Sequence, residues 1–238
     1  MSMSYQVIIL AGGLGTRLRK EIGNIPKPMA NINGKPFLQH LLTFFLQQHI
    51  DEVILSVGYG HDAIKSYFGN YFGSISLIYS IEDEPLGTGG AIKKALSFVN
   101  GEDVLIQNGD TIFKINLCEF YNLHRKNRSY LSVALKFAQE TNRFGAIEIN
   151  DMNEIISFHE KQNDIKGFIN AGIYLLKKEF LCSLNLPNKF SFEHDFLEKY
   201  YKHYKFFGFP FNSYFIDIGV PEDYKRAQDE FKTFQSQS

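Results

Sequence analysis

Val7-Ile8-Ile9-Leu10-Ala11-Gly12-Gly13-Leu14-Gly15-Thr16-Arg17-Leu18, followed within a few residues by Pro26-Lys27-Pro28, decides how the rest of the chain is read. An unbroken apolar run that stops at small residues predicts a buried parallel strand feeding a tight turn. Gly12, Gly13 and Gly15 open backbone angles closed to other residues and let a ligand approach the main chain. Amide N–H groups bared in this way face an anion, and Arg17 and Lys27 add two positive charges. The stretch reads as a phosphate cradle. It is not a Walker loop, which needs Gly-Lys followed by Ser or Thr. Nor is it a dinucleotide fingerprint, because position 18 holds Leu18 in place of the third glycine, and Asp51 and Glu52 precede the next strand instead of ending it. A plain glycine turn with two surface cations is the alternative reading of this stretch taken alone.

The apolar and glycine runs continue in a regular alternation. A helix is expected from Pro36 to Gln48, a strand over Val53 to Val57, a short helix over Ala63 to Phe68 and a strand over Ile75 to Tyr79. A helix over Gly89 to Val99 and a strand over Val104 to Gln107 follow. Asn116 with Glu119 has the form of a capping box for a helix reaching about Lys126. Beyond Tyr130 strands crowd together at Tyr130 to Lys136, Ala146 to Ile149, Ile155 to His159 and Ile169 to Leu175, and helices return at Phe192 to Tyr201 and Pro221 to Phe234. The expected fold is therefore α/β: a doubly wound, mostly parallel, Rossmann-like mixed sheet with helices on both faces and an antiparallel extension. A single domain over residues 1–238 is expected, in two halves near 1–128 and 129–238.

Composition narrows the class. At 238 residues and 44% hydrophobic content the chain can bury a large single core, roughly 70 to 75% of its unfolded surface. The net charge of -1 offers nothing to nucleic acid or to an anionic membrane. Cys118 and Cys182 stand far apart with no metal-site spacing, which predicts reduced thiols and a cytoplasmic protein; no signal peptide or membrane span is expected. The 23 Phe and 13 Tyr read as packing residues.

Further constellations carry chemistry. Asn108-Gly109-Asp110 sets a carboxylate just past an apolar strand, at the edge where the first strand delivers its glycines, so Asp110 is a candidate magnesium ligand. Asp217, within Phe215-Ile216-Asp217-Ile218-Gly219, is a second: a carboxylate between apolar neighbours is costly unless paired or metal-bound. A turn-capping Asp110 and a solvent-facing Asp217 are the plainer readings. Glu82-Asp83-Glu84-Pro85-Leu86-Gly87-Thr88-Gly89-Gly90 joins an acidic turn to a helix start stripped of side chains, where backbone could lie flat against a base. Glu160-Lys161 and Asn170-Ala171-Gly172, each alone, read as ordinary surface.

Taken in order, Gly-Gly-Leu-Gly-Thr-Arg-Leu, Pro-Lys-Pro, Leu-Gly-Thr-Gly-Gly, Gly-Asp, Phe144-Gly145, Glu160-Lys161, Asn170-Ala171-Gly172 and Ile216-Asp217-Ile218-Gly219 resemble the sugar-1-phosphate nucleotidyltransferases over nearly the whole chain. The wording of Leu55-Ser56-Val57-Gly58-Tyr59, Glu84 to Gly90 and Pro221-Glu222-Asp223-Tyr224 is most similar to the subgroup of guanylyltransferases acting on D-glycero-D-manno-heptose 1-phosphate. The resemblance implies transfer of GMP from GTP to that sugar phosphate, with release of pyrophosphate and formation of an NDP-sugar for surface polysaccharide (capsule or lipopolysaccharide) synthesis. It implies catalytic roles for Arg17, Lys27 and Asp110. Nucleotide contacts are implied at Leu10, Ala11, Gly12, Gly13, Gly15, Thr16, Glu82, Leu86, Gly87, Thr88, Asn108 and Gly109. Sugar-phosphate contacts are implied at Gly145, Glu160, Lys161, Asn170 and Gly172, which makes 1–128 the implied nucleotide-binding half and 129–238 the sugar-phosphate-binding half. Magnesium is the implied cofactor, held by Asp110 and Asp217, and offsets phosphate charge beyond what Arg17, Lys27 and Lys161 neutralise.

The chain departs from the family in lacking the hexapeptide-repeat domain of acetylating members, and in having Tyr214 or Phe215 where a Trp usually precedes the second metal Asp. The expected partners are a nucleoside triphosphate and a sugar 1-phosphate, without nucleic acid or membrane; oligomeric state stays open, a homodimer included. Alternative readings are a mannose or glucose 1-phosphate nucleotidyltransferase using GTP, UTP or dTTP, and a non-catalytic nucleotide-sugar-binding protein. The presence of Lys27, Asp110 and Asp217 together weighs against the last, and Leu18 weighs against a dinucleotide-dependent oxidoreductase.

Overall fold

The computed structural model describes residues 6–13, 15, 18–139, 146–159 and 166–235. In chain order it begins with β1 (Gln6–Leu10), α1 (Arg19–Ile22), β2 (Asn31–Ile32), β3 (Lys35–Pro36), α2 (Phe37–Gln47), β4 (Glu52–Val57), α3 (His61–Phe68), β5 (Tyr71–Phe72) and β6 (Ile75–Ile81). It continues with α4 (Gly87–Ala95), β7 (Asp103–Asn108), β8 (Thr111–Phe113), α5 (Leu117–Lys126), β9 (Leu131–Ala138), β10 (Ala146–Ile149), β11 (Ile155–His159) and β12 (Gly167–Lys177). The last elements are α6 (Lys178–Ser183), a π-helical turn (Phe192–Leu197) running into α7 (Glu198–Tyr200), β13 (Phe206–Pro210), β14 (Phe215–Asp217) and α8 (Pro221–Gln235).

The main sheet runs β11-β10-β12-β7-β1-β4-β6-β5, with β9 on β12 and β13 on β9. Strands β7, β1, β4 and β6 are parallel. Their continuous apolar runs follow from cover on both faces. In β1, Val7 and Ile9 belong to one core and Ile8 to the other; in β4, Val53, Leu55 and Val57 face the first and Ile54 the second. Helices α2, α3, α5 and α8 close the first core with Phe37, Leu41, Ile64, Phe120 and Phe231. The second core is closed by Ile92 and Ala95 of α4, Phe180 of α6, and Phe192 and Phe196 of the π-helical turn. Val7, Ile8 and Ile9 are fully buried, each stabilising the fold by roughly 1.5–3 kcal/mol relative to exposure.

The doubly wound, mostly parallel sheet is as the alternation of elements foretells, and the Asn116 side chain does cap α5, accepting from the Glu119 N–H at 3.0 Å. Some expectations need correction. The four strands expected in the extension do pair antiparallel, β10 with β11 and β12 with β7, β9 and β10, but an unexpected strand, β13, joins β9 in parallel. Strand β13 has no period-2 pattern to announce it, being Phe206-Phe207-Gly208-Phe209-Pro210 with its first four residues buried, and its Gly and Pro read as breakers. The expected helix Phe192 to Tyr201 begins as a π-turn, with the Ser191 hydroxyl accepting from the His194 N–H at 3.2 Å. Among the described residues no helix is long and apolar enough to cross a membrane. Cys118 and Cys182 are free and exposed.

Candidate active site

The four parallel strands end along one edge, where an open sheet binds its ligands. Leu10, Ser56, Glu82 and Asn108, at or just past those ends, line one cavity of about 760 Å³ together with Gly12, Gly13, Gly15, Lys27, Glu84, Gly87, Thr88, Gly109 and Asp110. Ala11 is buried behind this edge, its N–H donating to Ser56 O at 2.7 Å. Thr16, Arg17, Gly145, Glu160 and Lys161 lie outside the described residues.

Close backbone approach explains several of the glycines. The Gly109 N–H donates to Leu10 O at 3.0 Å, and a Cβ there would stand 2.4 Å from that oxygen, so only glycine lets β7 hand Asp110 to the end of β1. Gly15 has φ +57, and a Cβ on it would meet Lys27 Cβ at 2.9 Å. The glycine loop therefore rests on the stem of Lys27. Lys27 opens a 3₁₀ turn, Lys27–Met29, on the buried Pro28. Ahead of it, Pro26 packs against Gly60, and the Tyr59 hydroxyl donates to Asn24 O at 3.2 Å. The lysine is aimed by a segment pinned at both ends.

Its ammonium forms a close ion pair with Asp110 Oδ2, with side-chain exposures of 14% and 29%. Asp217 comes alongside because β14 pairs with β8, opposing Asp217 to Thr111, while the Ile218 N–H donates to Asp110 O at 2.9 Å. The Thr111 hydroxyl spans the two carboxylates, 3.2 Å from Asp110 Oδ1 and 3.3 Å from Asp217 Oδ2. Asp217 Oδ1 also accepts from the Gly219 N–H at 2.5 Å. A Cβ built on Gly219 would lie 3.4 Å from Lys27 Nζ, so the ammonium sits between Asp110 and the Asp217–Gly219 turn. Among the described residues no group of three or more His, Cys, Asp or Glu side chains could hold a metal. Two hard carboxylates do suit magnesium, which takes one or two carboxylates and fills its shell with phosphate oxygens and water.

Glu82 binds the end of β4 to the acidic turn: Oε1 accepts from the Ser56 hydroxyl at 3.3 Å and Oε2 from the Leu86 N–H at 3.1 Å. Each oxygen keeps a lone pair for a ligand donor. A Cβ on Gly12 would meet Glu82 Oε1 at 3.0 Å, which brings the glycine loop against this carboxylate. The glycines of the following turn have a different use from the one their flatness suggests. A Cβ on Gly87 would stand 2.5 Å from Phe190 O, on Gly89 2.1 Å from the Phe190 ring, and on Gly90 2.2 Å from Asn188 O. They admit the 188–190 segment behind the turn, while Gly87 and Thr88 face the cavity.

On β12 the register shifts between Asn170 and Tyr174, and Gly172 takes φ +72 with Asn108 packed against it, a Cβ there falling 2.8 Å from Asn108 Nδ2. The Asn170 amide is turned inward: Nδ2 donates to the Tyr174 hydroxyl at 2.7 Å and Oδ1 accepts from the Gly172 N–H at 3.0 Å. One N–H and one lone pair remain for a ligand. Complete burial, and then the neighbouring Glu193, raise the Tyr174 hydroxyl well above its ordinary range, so it stays protonated. Ser56, Thr111, Tyr174 and Glu193 were not legible as site residues, except that Thr111 directly follows Gly109-Asp110.

The arrangement suits a phosphate-handling transferase: a glycine-lined cavity, a cation and paired carboxylates beside the ends of the parallel strands. The sequence profile of the Nucleotidyl transferase family matches residues 6–233, and the chain belongs to that family. It is 47% identical over 229 residues to the D-glycero-alpha-D-manno-heptose 1-phosphate guanylyltransferase of Aneurinibacillus thermoaerophilus, a match covering 96% of this chain and 99% of that protein. The protein of the same name from Campylobacter jejuni is 49% identical over 219 residues, with 92% and 96% covered. The crystal structure of HddC from Yersinia pseudotuberculosis complexed with GMP-PN superposes with a TM-score of 0.86 at 39% identity, covering 95% of this chain and 99% of that one.

Proposed function

We propose that this enzyme transfers GMP from GTP to D-glycero-D-manno-heptose 1-phosphate, releasing pyrophosphate and forming a GDP-heptose. The reading rests above all on Lys27, whose ammonium lies between Asp110 and the Asp217–Gly219 turn beside the glycine loop. The relatives named above, similar over nearly their full length, support the choice of base and sugar.

A sugar-phosphate oxygen attacks the α-phosphorus of GTP in line, a new P–O bond forms, and the bond to the β-phosphate breaks, its electron pair leaving with pyrophosphate. No residue needs to become covalently attached. The amides of Gly12, Gly13 and Gly15, with Arg17, bind the nucleotide phosphates. Lys27 offsets charge as the α-phosphate becomes crowded and the leaving group departs. Asp110 and Asp217 would hold magnesium, which when bound polarises the α-phosphate and stabilises the leaving charge. Glu82 accepts from guanine N1–H and N2–H against the Leu86–Thr88 turn. Asn170 and Gly172, with Gly145, Glu160 and Lys161, receive the sugar phosphate.

Direct transfer is tested by isotope exchange. Labelled pyrophosphate should enter GTP only when GDP-heptose or heptose 1-phosphate is present, and magnesium removal should stop it. Exchange with GTP alone would mean a GMP-enzyme intermediate and a different mechanism.

A further inference from the structure

Behind the turn that follows Glu82, a second carboxylate joins parts of the site far apart in sequence. Glu193 Oε2 accepts from the Thr88 hydroxyl at 2.7 Å and from the Ser191 hydroxyl at 3.3 Å. The same Thr88 hydroxyl accepts from the Phe192 N–H at 2.8 Å, so its direction is fixed. Glu193 Oε1 accepts from the fully buried Tyr174 hydroxyl at 3.4 Å, which in turn accepts from Asn170 Nδ2 at 2.7 Å. The chain of polar contacts thus runs from Thr88, at the cavity wall, to Asn170 and Gly172 on the β12 bulge.

The geometry points to Glu193 as a positioning residue that holds the base-reading turn and the sugar-phosphate strand as one unit, so that each substrate organises the site of the other. The inference rests on the guanylyltransferase reading above. Glu193 is not among the residues that line the cavity. Its oxygens instead bind the Thr88 hydroxyl of one half and the Tyr174 and Ser191 hydroxyls of the other, and a network tied to a fully buried member, Tyr174, favours a single arrangement. A nucleotide that orders the Thr88 turn thereby orders Glu193, Tyr174 and Asn170, and the coupling is reciprocal.

The experiment varies GTP against heptose 1-phosphate for the wild type, Glu193→Gln, Thr88→Val, Thr88→Ser, Tyr174→Phe and the Thr88→Val/Tyr174→Phe pair, with thermal melting alongside. Each of Thr88→Val, Tyr174→Phe and Glu193→Gln should raise the KM of both substrates, by about fivefold or more. Thr88→Ser, which keeps the hydroxyl, should bring the sugar-phosphate KM back toward wild type from the Thr88→Val value. The double variant should be no worse than its more severe parent, since either change cuts the same chain. The inference is overturned if Thr88→Val moves only the GTP KM and Tyr174→Phe only the sugar KM, with effects that multiply in the pair. Should Glu193→Gln fail to fold, the Thr88 and Tyr174 variants decide the matter alone. A wild type without turnover sinks the guanylyltransferase reading and this inference with it.

Discussion

Lys27, Asp110 and Asp217 carry opposite charges within one small volume, and the Thr111 hydroxyl joins the two carboxylates. Asp110→Asn and Asp217→Asn change charge at nearly constant shape, so turnover should fall by more than about tenfold, or 1.4 kcal/mol in the barrier. Melting temperatures should stay within a few degrees of wild type. A variant that keeps its activity within that factor has not lost a metal ligand. Lys27→Ala should lower kcat more than it raises either KM, because its charge matters most as pyrophosphate departs; Lys161→Ala should do the reverse for sugar phosphate. The glycines of the loop and turn separate by a different test. Gly89→Ala drives a Cβ to 2.1 Å from the Phe190 ring, an overpacking that should cost roughly 1–3 kcal/mol in chemical denaturation. Gly13 has nothing within 4 Å of its Cβ position, so Gly13→Ala should fold as the wild type and differ only in nucleotide binding.

At the scale of elements, the sheet's far edge is held by a buried polar junction. Asp103 at the start of β7 lies 3.5 Å from His124 Nε2 and 3.0 Å from Arg125 Nη1 of α5, and His124 Nδ1 lies 2.8 Å from Ser132 Oγ of β9. Burial alone would raise the Asp103 carboxyl, but the bonds and charges of His124 and Arg125 outweigh it and hold it below its usual 3.8. The folded state therefore binds this proton less readily than the unfolded state, and the stabilisation is complete above that value and lost as pH falls through the lower folded one. The melting-temperature gap between wild type and Asp103→Asn should be widest near neutral pH and narrow below pH 3.8; a gap constant with pH would contradict this. The elements themselves were unequally legible. Strands β1, β4 and β7 announce themselves because cover on both faces demands unbroken apolar runs. The π character of the expected helix at Phe192–Leu197 and the parallel strand Phe206–Pro210 do not, since these segments pack against α4 and β9 and local preference does not set their conformations.

In the whole molecule, the main sheet carries the glycine loop, Asp110, the acidic turn and the β12 bulge to a common edge, and the separate β8–β14 pair sets Asp217 beside Asp110. The residues that could meet phosphate were readable in the sequence because charge, glycine and strand ends mark them. Glu193 was not, because its use depends on Thr88 and Tyr174, 105 and 19 residues earlier in the chain, which only the fold brings to it. In the proposed base site, Glu82 would offer acceptors that match two adjacent donors on guanine, while adenine presents an acceptor and a carbon-bound hydrogen there. A site left with an unmet hydrogen bond loses several powers of ten, so the base preference should be abrupt. The most direct measurement is pyrophosphate release from GTP, ATP, UTP and CTP, each paired with heptose, mannose and glucose 1-phosphates. GTP with D-glycero-D-manno-heptose 1-phosphate should be the best pair and mannose 1-phosphate the best substitute sugar, whereas a preference for UTP with glucose 1-phosphate would contradict the assignment of base and sugar.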